Sequence, residues 1–377
     1  MLSLAFFIHK SMIQLSNTLR ILLLFILSVA ILYFSRSVLI PLTFGGVLAM
    51  LLMPVARWLE GKGMNRAVSS IISLVLFSAL FIGLILLLRW QIGDLIKDFS
   101  KLQDQLMKLF EQVKDYVRSQ FGITSRQQQQ ILKEQQSGGM EKVAGMAIGT
   151  ITSTLGILVS SVLVLVYTFL FLYFRSHFKS FVLRLVSVPN QTIAQKVMYK
   201  SSRVTQQYIT GLGIMIVMLW VMYGIGFSIV GVKNAIFFAI LCGILEIIPF
   251  AGNITGTSIT VLIAFAQGGS VDMVLGVLIT YGIVQFTQTY LLEPMIVGNQ
   301  VNLNPLFTIF IIVVGEAVWG IAGMVLAIPL LGMFKVVCDH VEPLKPYGYL
   351  IGNQSAKEDK SIFKKLFGGN DDGDAFN

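Results

Sequence analysis

Four acidic residues interrupt an otherwise apolar stretch between Lys233 and Lys335, and they are the side chains most suited to chemistry. An ionised carboxylate at the centre of a hydrocarbon layer costs at least about 2.5–3.5 kcal/mol. Each one is therefore either functional or satisfied by polar partners. The four residues are Glu246, Asp272, Glu293 and Glu316.

Glu246 and Glu316 are the strongest candidates for ion coupling, because each precedes residues that weaken a helix. Unwound backbone there can offer carbonyl groups and helix ends to a solute or ion. The alternative is that each carboxylate only accepts hydrogen bonds from the adjacent turn. Glu293 is either a cap at headgroup level or a third transport residue, and Asp272 is better explained as a charge at a helix N-terminus.

Polar side chains also form a stripe on the segment 271–298, at steps of four, three and one that keep them on one helical face. The stripe consists of Tyr281, Gln285, Gln288 and Thr289. It either hydrogen-bonds to another helix or lines a hydrated path. With Asn253, the residues Gln285 and Gln288 are candidate contacts for a solute.

The composition excludes a soluble globular protein. Of 377 residues, 55% are apolar and 12% are charged, and the mean hydropathy is +0.78. Uncharged segments of 20 residues or more are long enough to cross a bilayer as helices, and they lack the alternation of a β-barrel. The sequence predicts an all-α polytopic membrane protein of about eight helical segments.

Two stretches, 234–267 and 305–338, are too long for one crossing, at about 51 Å each as continuous helix. Helix-weakening residues interrupt both, which predicts two broken helices or helical hairpins. The break residues are Pro249, Gly252 and Gly256 in the first stretch, and Gly320 and Gly323 in the second. A Gly252-x-x-x-Gly256 pattern is equally typical of close helix packing.

Five regions follow from these patterns. They are an N-terminal three-helix membrane segment 1–89, an extramembrane helical region 90–142, two further spans 143–232 with a basic connector 175–205, a transport core 233–340, and a flexible tail 341–377. Residues 95–116 carry a heptad pattern, which predicts pairing with another subunit or with other parts of the same chain.

Basic residues in short loops predict a cytoplasmic N-terminus, a cytoplasmic connector 175–205 and a cytoplasmic tail. The net charge of +9 has the same origin and does not indicate nucleic-acid binding. Nucleotide-binding, hydrolase and metalloprotease motifs are missing from the sequence, so we expect no enzyme activity, cofactor or metal. Cys242 and Cys338 lie in apolar stretches and are interpreted as core residues.

Three ordered motifs resemble the AI-2E family of bacterial transporters, the family of the autoinducer-2 exporter and the PerM permease-like proteins. They are Glu246-x-x-Pro249-x-x-Gly252, then Leu292-Glu293-Pro294 with Gly298 and Pro305, then Gly315-x-x-x-x-Gly320-x-x-Gly323-Met324. The chain departs from many relatives at Thr257 and Ser258, where they have a proline, and at Asn304-Pro305, where they have His-Pro.

The resemblance implies a multi-pass transporter of the bacterial inner membrane, surrounded by lipid and assembled as a homo-oligomer. Its members are assigned to export of autoinducer-2, a small polar solute, or to Na⁺(Li⁺)/H⁺ antiport. We expect the pathway between the two broken stretches and the segment 271–298, with Glu246 and Glu316 as a relay and the break residues changing access. A scaffold protein that works through residues 95–116 is the alternative from another class.

Overall fold

The computed structural model describes residues 2–97, 159–249, 251–266, 271–298 and 302–353. Across these ranges, helices joined by short turns account for nearly the whole fold. Five of the described helices are long and apolar enough to cross a membrane, and a sixth crossing results if one bent pair is counted as a single span. The all-α polytopic class predicted from composition is confirmed.

Three helices form the N-terminal membrane segment: α1 (Leu2–Phe34), α2 (Arg36–Gly61) and α3 (Arg66–Lys97). Most large apolar side chains of α3 are exposed, as expected for a helix that faces lipid. α2 is partly buried, because Gly45 lets it approach Tyr167 closely. A Cβ added to Gly45 would lie only 2.6 Å from the Cβ of Tyr167. Beyond Lys97, the heptad-patterned region lies outside the described residues.

The chain next forms α4 (Val159–Tyr173) and α5 (Arg175–Leu185), which meet at an angle of 69°. A 3₁₀ turn at Val188–Asn190 leads into α6 (Gln191–Val230), a helix of 40 residues. At 1.5 Å per residue this helix is about 60 Å long, more than one bilayer requires. The basic connector 175–205 is therefore helical, formed by α5 and the first turns of α6.

Helix α6 is the central element of the fold. It packs against α2, against the segment 271–298 and against both helical hairpins described below. Its buried side chains recur every four residues at Met215, Leu219, Tyr223 and Phe227, and these belong to the main apolar core. This stripe lies on one helical face, along which α6 packs into the apolar core.

Both predicted breaks are present and produce two hairpins. Hairpin one consists of α7 (Ala235–Leu245) and α8 (Ala251–Ala266), and hairpin two of α10 (Pro305–Trp319) and α11 (Ile321–His340). Between them, α9 (Val271–Thr287) continues as a π-helix (Gln288–Gly298) and forms one membrane-crossing segment. The hairpins are connected to opposite ends of that segment.

The prediction of a flexible tail is wrong for residues 342–351. A 3₁₀ turn (Glu342–Leu344) and α12 (Lys345–Ile351) pack on α11. The backbone N–H of Asn304 donates to the backbone carbonyl of Ile351 at 2.8 Å, and Ile351 itself is buried. The two prolines of this segment stand at the first helical turns, where a missing N–H costs nothing, and so they begin these helices. Residues 354–377 lie outside the described part.

Candidate functional site

The tip of hairpin one carries a partly buried carboxylate. Glu246 is the first residue after α7, and its own amide still donates to the Cys242 carbonyl at 3.1 Å. The chain then turns through residues 246–249, because Pro249 lacks an N–H and restricts the residue before it. Eleven helical residues precede Glu246, which puts it about 17 Å from the start of α7.

Glycines allow the two helices of hairpin one to fold tightly on each other. A Cβ on Gly252 would lie 1.7 Å from the Leu245 carbonyl oxygen, and one on Gly256 would lie 3.1 Å from the Cys242 Cα. Both glycines are inside or at the start of α8, not in the turn. Their structural effect is close packing, which matches the alternative interpretation of the Gly252-x-x-x-Gly256 pattern.

Hydrogen bonds join this tip to the segment that begins with α9. The Gln288 side-chain amide donates to Glu246 Oε1 at 2.7 Å. Close by, Asn253 Nδ2 donates to Gln285 Oε1 at 2.6 Å, and Gln285 Nε2 donates to Thr289 Oγ1 at 3.3 Å. The structure thus brings together one predicted coupling residue and all three predicted solute contacts.

Several oxygens around this network are buried but unsatisfied. Among the residues that the structure describes, no hydrogen bond reaches Glu246 Oε2, Gln288 Oε1, the Thr257 hydroxyl or the Tyr223 hydroxyl. The two hydroxyls lie near each other without the geometry of a hydrogen bond. Each unsatisfied buried polar group costs about 1–3 kcal/mol. We call these residues, together with Asn253 and Gln285, the Glu246 cluster.

The Glu246 cluster draws on three parts of the fold: α6, hairpin one, and the junction of α9 with the π-helix. The sequence analysis missed Tyr223, which lies on α6 and is fully buried. The sequence pattern that could have identified Tyr223 is its position on the four-residue repeat that also buries Leu219 and Phe227. A phenol on a buried face needs a partner for its hydroxyl, and this face meets hairpin one.

Glu293 lies at the edge of this region, on the π-helix five residues after Gln288. Its side chain is exposed, yet it is close enough for its charge to act on Glu246. Pro294 gives a physical reason for the wider helical turn, because it has no N–H to donate to the carbonyl of Tyr290. Segments of π-helix occur frequently at functional sites.

Glu316 is not part of the cluster. It lies on α10, which packs against α11 and α1, and its side chain is exposed. No hydrogen bond or ion pair in the described ranges connects it to Glu246. Gly320 forms the turn after it with a φ of 62°, a conformation that favours glycine. At the same turn, the Trp319 indole donates to the Leu32 carbonyl of α1 at 2.9 Å.

Within the described ranges, no three His, Cys, Asp or Glu side chains come together as metal ligands. Cys242 and Cys338 are both free thiols and both buried. The Cys242 thiol lies 3.6 Å from the Thr260 hydroxyl, inside hairpin one. The two cysteines are core residues, as their apolar surroundings in the sequence indicated.

Comparison with known proteins identifies the family. The sequence matches the model of the AI-2E family transporter over residues 22–342. It is 26% identical to YrrI of Bacillus subtilis (strain 168), a proposed transport protein, over 81% of this chain and 87% of YrrI. It is also 26% identical to PerM of Escherichia coli (strain K12), a proposed permease, over 84% of this chain and 91% of PerM. This chain therefore belongs to the AI-2E transporter family.

Proposed function

We propose that the Glu246 cluster is the solute site of an exporter for a small polar molecule such as autoinducer-2. The observation that carries this proposal is the group of four unsatisfied oxygens that hairpin one, α6 and the π-helix bring together. A solute with several hydroxyl groups would donate to Glu246 Oε2 and Gln288 Oε1 and would also bond to the two buried hydroxyls. Binding would thereby relieve the cost of burying these groups without partners.

Glu246 is also the proposed coupling group. Its protonation would remove a charge that is expensive at this depth and would weaken the attraction to a hydrogen-bond donor. The two states would then differ in their affinity for the solute, which is what ion coupling requires. Glu293 and Glu316 are assigned secondary roles in proton or cation passage, because neither shares a hydrogen bond with the cluster.

Alternating access would follow from the arrangement of the hairpins. Hairpin one joins one end of the α9 segment and hairpin two joins the other end. Movement about the turns at Pro249 and Gly320 would open the cluster to one side at a time. The glycines at 252, 256 and 323 would keep the helices of each hairpin together during this movement, since their backbones are in contact.

Na⁺(Li⁺)/H⁺ antiport is a second candidate, favoured by the chemistry of the same unsatisfied atoms. All four are oxygens and one belongs to a carboxylate. Hard monovalent cations prefer oxygen ligands, and membrane transporters bind them at broken helices. In that mechanism Glu246 would bind the cation and the proton in turn, and no organic solute would be needed.

The proposed membrane and orientation rest on charge. Basic residues at the ends of several helices come together at one end of the fold, where Arg175 pairs with Glu60 and Lys200 lies 3.1 Å from His340. An excess of such residues is typical of the cytoplasmic side. We therefore propose a bacterial inner-membrane protein with a cytoplasmic N-terminus and tail, working as a homo-oligomer.

Transport by purified protein in liposomes tests the site. Glu246→Gln removes the ionisable group but retains its size, and we expect a loss of about 10–100-fold in transport, from about 1.5–3 kcal/mol for a charged hydrogen bond. Asp272→Asn is the matched control, because Asp272 is exposed in the first turn of α9 and away from the cluster. It should retain wild-type rates.

The two candidate functions give different results in the same vesicles. Autoinducer-2 efflux without any proton flux on adding Na⁺ or Li⁺ supports export, whereas cation-driven proton flux in the absence of solute supports antiport. If Glu246→Gln leaves both activities intact, the cluster is not the site. If deletion of residues 95–116 abolishes activity while Glu246→Gln and Glu316→Gln are silent, the scaffold interpretation is correct.

A further inference from the structure

A basic groove lies where α4 bends into α5, at a distance from the Glu246 cluster in the fold. Its volume is about 680 Å³. Arg66 at the start of α3 lines it together with His177 and Arg184 of α5. Phe174 and Phe181 contribute aromatic surface to the same groove. Cationic groups and apolar rings therefore share one open cavity.

The elements around the groove belong at the membrane surface. α4 is apolar, and the chain turns by 69° before α5 begins. α5 is a short basic helix that buries none of its side chains. At the neighbouring end of α2, the Lys62 ammonium lies 3.6 Å above the ring of Trp58, which is 59% exposed. Exposed tryptophan and lysine are typical of the layer of lipid headgroups.

The positive charge of the groove is only weakly offset by the described residues around it. Glu60 is the nearby carboxylate, and it already pairs with Arg175 and accepts a hydrogen bond from Ser69. Residues 175–205 contain no acidic residue. In the part of the chain that the structure describes, neither Arg66 nor Arg184 forms an ion pair. Both guanidinium groups are therefore available to an anion.

We propose that this groove binds the phosphate of an anionic phospholipid from the surrounding bilayer. Guanidinium groups match the geometry of phosphate oxygens, and basic pockets beside membrane helices bind such headgroups. Arg66 and Arg184 contact the phosphate, and His177 donates a further hydrogen bond. Phe174 and Phe181 pack against the upper acyl chains. A free phosphate ion has no chains to cover these rings, so the groove favours the lipid.

Native mass spectrometry of the full-length protein in detergent tests this site. The protein is titrated with dioleoyl-phosphatidylglycerol and, separately, with dioleoyl-phosphatidylcholine. We expect preferential retention of phosphatidylglycerol, and about fivefold weaker retention for Arg66→Gln and for Arg184→Gln. Lys179→Gln is the matched control, because it removes the same charge from the same helix without belonging to the groove lining.

Four outcomes would overturn the proposal. Equal retention of the two lipids by the wild-type protein would show that headgroup charge is not recognised. Equal losses in Lys179→Gln and Arg184→Gln would indicate diffuse surface attraction in place of a site. Competition by glycerol phosphate at the same concentration as the lipid would assign the groove to soluble phosphates. If a variant fails to fold, the salt dependence of the wild-type protein still tests the proposal. Retention of phosphatidylglycerol that does not fall with added salt contradicts a phosphate contact.

Discussion

The closest helix contact in hairpin two depends on glycine, and adding one methyl group there should disrupt it. A Cβ on Gly323 would lie 1.9 Å from the Gly315 carbonyl oxygen, whereas ordinary contacts begin at 3.4 Å. Gly323→Ala therefore forces α10 and α11 apart by roughly 1.5 Å, against backbone atoms that no side-chain rotation can move away. Overpacking of this kind costs about 1–3 kcal/mol, occasionally more.

Thermal unfolding of the detergent-purified protein, followed by tryptophan fluorescence, measures this cost. We expect the melting temperature of Gly323→Ala to fall by several degrees and transport to fall with it. Gly213→Ala is the matched control, because a Cβ on this α6 residue meets nothing within 4 Å. It should stabilise the helix by about 0.5–1 kcal/mol. A Gly323→Ala protein that melts at or above the wild-type temperature would refute the close approach.

Two other sets of substitutions test contacts elsewhere in the fold. Replacing Glu60 or Arg175 by Gln leaves the partner partly buried without its ion pair, so we expect a loss of about 1.5–3 kcal/mol in thermal unfolding. The exchange of both residues, Glu60→Arg with Arg175→Glu, should recover part of it, and no recovery would argue against a direct pair. Tyr223→Phe removes a buried hydroxyl without a hydrogen-bond partner, so the melting temperature should stay equal or rise while transport falls. A large drop in melting temperature would contradict that assignment.

Local patterns were sufficient to locate the two helix breaks and the polar stripe between residues 233 and 340. Pro249 and Gly320 mark the two turns, because one lacks a backbone donor and the other adopts a positive φ. The polar stripe at Gln285 and Gln288 also faces protein, as expected for amides that lipid cannot satisfy. These outcomes depend on single residues or on helical spacing, which the order of residues already contains.

The pairing of distant segments was not available from the same patterns. Glu246 and Glu316 look alike in the sequence, since each precedes a break, but of the two carboxylates only that of Glu246 accepts a side-chain hydrogen bond from a described residue. Tyr223 joins the cluster because α6 packs against hairpin one. The tail from Glu342 to Ile351 is ordered because it binds the segment before α10. None of these contacts is encoded by neighbouring residues.

Hydropathy, charge and helix breakers by themselves determined that this chain crosses a membrane, where its helices bend and which buried carboxylates need an explanation. Only the tertiary structure decided which of those carboxylates is enclosed, which glycines hold helices together and where uncompensated arginines form a groove. The physical reason is that hydropathy and backbone preference depend on the residue itself and on its neighbours in the sequence. Hydrogen bonds and close packing, in contrast, depend on atoms that folding brings together from far apart in the chain.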